Sequence, residues 1–102
     1  GYAVFPAEVE DLLHRHPGIQ GAAVIGLPHE KVGEVGKAFI VPDPAYKEQI
    51  TAAEIQDWAK DKMAAHKIPS LIEFREELPT TLVGKILRRV LRDEELEKLK
   101  KS

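Results

Sequence analysis

A chain of 102 residues with 43% hydrophobic and 31% charged side chains has the composition of a folded domain, with room for one modest core. Fifteen Lys and Arg against seventeen Asp and Glu leave a net charge of −2, so no global basic field recruits nucleic acid. The absence of cysteine excludes a disulfide framework, a zinc knuckle and thiol catalysis, and fits a reducing, cytoplasmic setting. No apolar run exceeds a few residues, as in Ala22 to Ile25, so no transmembrane segment is expected. Residue 1 is Gly and no signal sequence opens the chain, which points to a processed start or to a piece of something longer.

Gly1 to Phe5 reads as a short extended arm. Pro6 suits the first turn of a helix, where its missing N–H costs nothing. Val9, Leu12 and Leu13 follow at helical spacing, with Glu8, Glu10 and Asp11 favouring the positive N-terminal end. His16-Pro17-Gly18 closes that helix. Ile19 to Leu27, rich in Val, Ile and Ala, predicts a buried strand ending at Pro28. Val35 to Val41 predicts a second strand, stopped by Pro42-Asp43-Pro44 and paired antiparallel with the first. Thr51-Ala52-Ala53-Glu54 is a capping box, and Ile55, Trp58, Ala59, Lys62 and Met63 continue one helical face toward Lys67-Ile68-Pro69. Leu71 to Phe74 is a third short strand in this pair's company. From Ile86, the positions Ile86, Leu87, Val90 and Leu91 make an amphipathic helix that Leu96 and Leu99 extend. The order is β-α-β-β-α-β-α: an α+β fold, a small mixed β-sheet packed with about three helices, filling residues 1–102 as a single domain.

Charge is unevenly placed along this chain. Residues 85–102 hold seven basic and four acidic side chains, whereas residues 1–84 hold eight and thirteen. A basic C-terminal end on an acidic body suits an anionic ligand or simply a solvated helix. Gly84-Lys85 invites a P-loop reading, but the places that motif needs for Gly and Ser/Thr hold Pro79 and Ile86, and the reading fails. What remains is a Lys on a Pro/Thr/Gly loop just before a helix. His14 and His16 are two apart and point in different directions on a helix, so no metal site is expected. His29 and His66 stand alone in predicted loops. Ser70 and Ser102 are the only serines, which leaves no basis for a serine triad. Trp58 and Met63 read as core. Lys85, Arg88, Arg89 and Arg92 lack the interleaved aromatics that single-stranded nucleic acid would need.

Three blocks carry a resemblance. Gly1-Tyr2-Ala3-Val4-Phe5-Pro6-Ala7-Glu8-Val9-Glu10 is similar to the segment just past the hinge of the acyl-CoA synthetases. These belong to the adenylate-forming (AMP-binding) superfamily, with peptide-synthetase adenylation domains and luciferases. Ala23-Val24-Ile25-Gly26-Leu27-Pro28, then Gly33-Glu34-Val35-Gly36-Lys37-Ala38-Phe39, resembles its next block. Leu78-Pro79-Thr80-Thr81-Leu82-Val83-Gly84-Lys85-Ile86-Leu87-Arg88-Arg89 resembles its terminal motif, Pro-x-Thr-x-x-Gly-Lys-x-x-Arg. The blocks stand in family order and span nearly the whole chain. The resemblance implies the mobile C-terminal domain of a two-domain acyl-CoA ligase, with a fatty acid favoured as substrate and the N-terminal domain absent.

The implied chemistry is a two-step ligation that consumes ATP and CoA, with Mg2+ held through the absent N-terminal domain. Lys85 matches the catalytic Lys of adenylation, whose ammonium stabilises negative charge on the transferring phosphate. Gly84 gives that loop freedom to deliver and withdraw it. On the CoA side, Gly1 matches a Gly near the pantetheine tunnel and Lys67 lies in a loop facing CoA's phosphates; ordinary loop residues are the alternative reading of both. This chain departs from the family pattern at His66, Ser70, Val32 and Ala3, positions where relatives often carry groups that grip the nucleotide or neighbour it. Expected partners are its own N-terminal domain and the small-molecule substrates, with no nucleic acid. A peptide-synthetase-type adenylation domain, or a non-catalytic binding module of similar fold, are the alternatives. A fragment of this kind is expected to be inactive alone, with Lys85 exposed and free of a buried partner.

Overall fold

The structure is a computed structural model that describes residues 5–29, 33–80 and 87–101. The first expected strand, in residues 1–4, lies outside these. Among the described residues the order is α1 (Pro6–Leu13), β1 (Ile19–His29), β2 (Gly33–Pro42), α2 (Ala52–Ala59), a 3-10 turn (Ala65–Lys67), β3 (Leu71–Phe74) and α3 (Arg88–Lys101). The sheet order is β1-β2-β3. β1 and β2 run antiparallel, with Val24 opposite Ala38 and Leu27 opposite Val35. β3 lies parallel to β2, which requires a crossover, and α2 lies in that connection. The mixed α+β fold expected from the sequence is the fold observed.

Strand periodicity builds two cores from one sheet. Ala22, Val24, Ala38 and Ile40 turn to one face, where Val9 and Leu13 of α1 and Ile55 and Ala59 of α2 cover them. The intervening Ala23, Ile25, Leu27 and Phe39 turn to the other face, beneath Leu91 of α3. Side chains alternate across a strand, so neighbouring residues must enter different layers. Ile19 joins the first cluster despite its odd number because the β1 register shifts between Ile19 and Gly21.

Several boundaries moved for physical reasons. β1 passes through Pro28 to His29, as an edge strand allows, since a missing N–H there breaks no ladder on the open side. Gly33 enters β2 at φ 84°, a conformation that favours glycine. A Cβ at Gly26 would stand 2.6 Å from the carboxyl carbon of Glu34, so a side chain there would push that flexible carboxylate aside. α2 ends at Ala59 rather than continuing to Lys67, and the chain re-forms only a 3-10 turn. Met63 nevertheless stays buried, as the sequence indicates, and Trp58 packs against the same cluster. Val90 is exposed, because Leu91 and Glu95, one turn apart, form the inward stripe of α3.

Candidate functional site

The capping box forms by half. The Glu54 N–H donates to Thr51 Oγ1 at 3.1 Å. The Glu54 carboxylate, however, turns to His16, whose Nε2 lies 2.8 and 2.9 Å from its two oxygens. His16 Nδ1 accepts the Gly18 N–H at 2.9 Å, which places the ring hydrogen on Nε2. His16 also meets Trp58 edge-on, with ring centroids 5.0 Å apart. This staple, buried at His16 and open to solvent at Glu54, joins the end of α1 to α2. Sequence spacing of the histidines gave no sign of it, because its partner stands 38 residues away.

Gly84 and Lys85 lie outside the described residues, but both roots of their loop are placed. The Leu87 N–H donates to the Pro79 carbonyl at 2.9 Å, so the chain leaves and returns at one point. α3 begins at the next residue, Arg88, whose guanidinium forks onto Glu10 of α1. Its Nε donates to Glu10 Oε2 at 2.7 Å, and Nη2 donates to Oε1. Glu10 is only 5% exposed, and its Oε2 also accepts the Val24 N–H of β1 at 2.7 Å. The hydrogen bond to Glu10 raises the Arg88 pKa above its ordinary value despite partial burial. One carboxylate therefore ties α1, β1 and the first residue of α3 together.

Of the residues expected on the opposite side, Gly1 also lies outside the described residues. Lys67, in the 3-10 turn, donates to both oxygens of Glu8 at 2.9 and 3.1 Å, and its Nζ sits 5.0 Å from the Phe5 ring centroid. The lysine is thus presented at the start of α1, half a helical circumference from the Glu10 clamp. An anion approaching it competes with Glu8 for the ammonium.

The basic C-terminal segment is partly turned inward. Arg88 is committed to Glu10, and Arg92 Nε donates to the Gly26 carbonyl at 3.2 Å. These side chains border a cleft of about 400 Å³ between α3 and β1. Farther along α3, Glu95 is buried against Lys37, which also donates to Glu73 at 3.2 Å. Lys98 Nζ lies 2.8 Å from Glu95 Oε2 without aligning as a hydrogen bond. Among the described residues, no group of three or more His, Asp or Glu could hold a metal ion, and no helix is long and apolar enough to cross a membrane.

A three-stranded mixed sheet between two helical layers, with Gly84-Lys85 a few residues before the last helix in sequence, defines the class. The chain fits the sequence profile of the AMP-binding enzyme C-terminal domain over residues 8–85. It is 43% identical over 95 residues to a long-chain-fatty-acid–CoA ligase of Escherichia coli O6:H1, covering 92% of this chain and 16% of that protein. It is 44% identical over 88 residues to a feruloyl-CoA synthase of an Amycolatopsis species, covering 86% of this chain and 18% of that protein. The solved acyl-CoA synthetase of Brucella canis superposes with a TM-score of 0.89 at 39% identity, over 97% of this chain and 18% of that one. The chain belongs to the AMP-binding enzyme C-terminal domain family, and the resemblance read from its three sequence blocks is borne out. It spans about one sixth of the length of these curated relatives.

Proposed function

We propose that this domain is the catalytic C-terminal part of an ATP-dependent acyl-CoA ligase, acting against an N-terminal adenylation domain on a fatty acid in the cytoplasm. In the first step a carboxylate oxygen attacks the α-phosphorus of ATP, the bond to the β-phosphate breaks, and pyrophosphate leaves. Lys85 supplies a positive charge to the oxygens where negative charge builds, and Gly84 frees the loop that carries it. No general base is needed, because the nucleophile is already ionised. After the domain turns, the sulfur of CoA attacks the acyl carbonyl, AMP leaves and the thiol proton passes to solvent. Gly1 and Lys67 then border the thiol path and the CoA phosphates. Magnesium belongs with the ATP-binding N-terminal domain, and no described residue cluster of this chain is suited to hold it.

The observation that carries this reading is the run from Pro79 to Arg88, which keeps Gly84-Lys85 in the family's order inside a chain that fits the family over residues 8–85. Relatives named for acids as different as long-chain fatty and ferulic match this chain at 43% and 44% identity, which supports a domain that leaves the choice of acid to another part of the enzyme. The test is pyrophosphate release from ATP and a long-chain fatty acid. The 102-residue chain alone should release none, while the two-domain protein carrying it should release pyrophosphate and form the thioester when CoA is added. Release by the chain alone, or a two-domain protein that adenylates but passes nothing to CoA, would contradict the assignment.

A further inference from the structure

We propose that Glu10 is a positioning residue for the Lys85 loop, acting through Arg88; the inference rests on the catalytic reading of Lys85. The sequence offers Glu10 only as one acid among several favouring the start of α1. In the fold it is buried, and its two oxygens receive three N–H groups: Val24 N–H, Arg88 Nε and Arg88 Nη2. A forked guanidinium on a carboxylate fixes orientation as well as distance. Arg88 stands three residues after Lys85 and opens α3, while the Leu87–Pro79 hydrogen bond closes the loop's neck. The described residues on either side of the Lys85 segment, Pro79 and Arg88, are therefore held in one direction relative to the sheet.

Stability alone does not require a carboxylate here. Replacing a buried ion pair by apolar side chains of similar volume is often neutral or stabilising. Orientation does require it, because a misplacement of about 1 Å at a reacting group costs on the order of 100-fold in rate. α1 is also the element that carries Glu8, the partner of Lys67. Glu8 and Glu10 are two residues apart, about 200° around the helix, so one helix holds the lysines' two regions in fixed relation.

The experiment uses the two-domain enzyme that carries this chain and measures each half-reaction separately. Glu10→Gln keeps an oxygen for the Val24 N–H but removes the charge that orients the guanidinium. Arg88→Lys keeps the charge and removes the fork. Each should lower kcat for pyrophosphate formation by about 10- to 100-fold. KM for ATP should stay within about twofold, and thioester formation from supplied acyl-adenylate should be unchanged. The double variant should be little worse than the weaker single one, as expected for residues acting as a unit. Adenylation within twofold of the parent in Arg88→Lys, or equal loss in both half-reactions, would overturn the proposal. Because Arg88 is 43% exposed at its side chain, Arg88→Lys should fold even where Glu10→Gln does not. A parallel Lys85→Ala variant separates the two claims. If it leaves adenylation intact, the lysine's catalytic role fails; if it abolishes adenylation while Arg88→Lys does not impair it, only the positioning role fails.

Discussion

Among the described residues, eleven buried apolar side chains meet in one cluster on the face of the sheet covered by α1 and α2, including Leu13, Ile40 and Ile55. On the face beneath α3, five described buried apolar residues are bordered by charge. Lys37 and Arg75 stand 5.1 and 4.8 Å from the Phe39 ring centroid, and Glu73, Glu94, Glu95 and Lys98 surround them. Apolar burial is non-directional and supplies most of the stability. Ion pairs add little net stability but accept only certain geometries. The difference places bulk stability with α1 and α2, and directional anchoring with α3, the helix that follows the Lys85 loop.

Core truncation gives the largest separation between the faces. Leu13→Ala should cost roughly 2–5 kcal/mol in urea unfolding, since Leu13 is fully buried in the larger cluster. Leu91→Ala, under a smaller cluster rimmed by solvated charges, should fall at the lower end, about 2 kcal/mol. Equal costs would erase the distinction between the faces.

Charge removal sharpens it next. Lys37→Met leaves Glu95 with Lys98 as its remaining cation and should cost about 2 kcal/mol. Adding Glu95→Leu should recover most of that loss, because the uncompensated buried charge goes with it. Additive losses in the pair would show that the charged face stabilises by attraction rather than by orientation.

The smallest effect is a pH dependence. Burial alone would raise the Glu73 pKa, but hydrogen bonds from Arg75 and Lys37, with the charges of Lys37 and Lys98, bring it below the ordinary value. A folded-state pKa below the unfolded one contributes stability above the unfolded value, and that contribution disappears as pH falls through the folded one. Unfolding midpoints of the parent and Glu73→Gln should therefore differ near neutrality and converge only as pH falls through the lowered folded-state value, below the ordinary carboxylate range. A difference that persists in acid would assign the effect to packing.

Local features were legible where neighbours in sequence decide them. Pro6, the Val-, Ile- and Ala-rich run from Ile19 to Leu27 and the Thr51 cap each produced the expected element. The extent of α2 was not, because apolar spacing through Met63 also fits a chain that leaves the helix at Ala59 and still buries the methionine. The family motif around Gly84-Lys85 was legible without any long-range contact. The clamp behind it was not: Glu10 and Arg88 are 78 residues apart, and either alone reads as a helix-surface charge. Lys67 stands out through the family resemblance of its segment and its suitable charge; that Glu8 shares that charge is again a tertiary fact.

The central claim is that two surfaces of one domain serve two half-reactions, and separate assays on Lys85→Ala and Gly1→Leu in the two-domain enzyme test it most directly. Lys85→Ala should lose about 10²–10³ in pyrophosphate formation, roughly 3–4 kcal/mol of transition-state stabilisation, while still forming thioester from supplied acyl-adenylate. Gly1→Leu should do the reverse, its side chain obstructing the thiol path and leaving adenylation intact. Equal damage to both half-reactions in both variants would contradict the account, reducing these residues to supports of the fold.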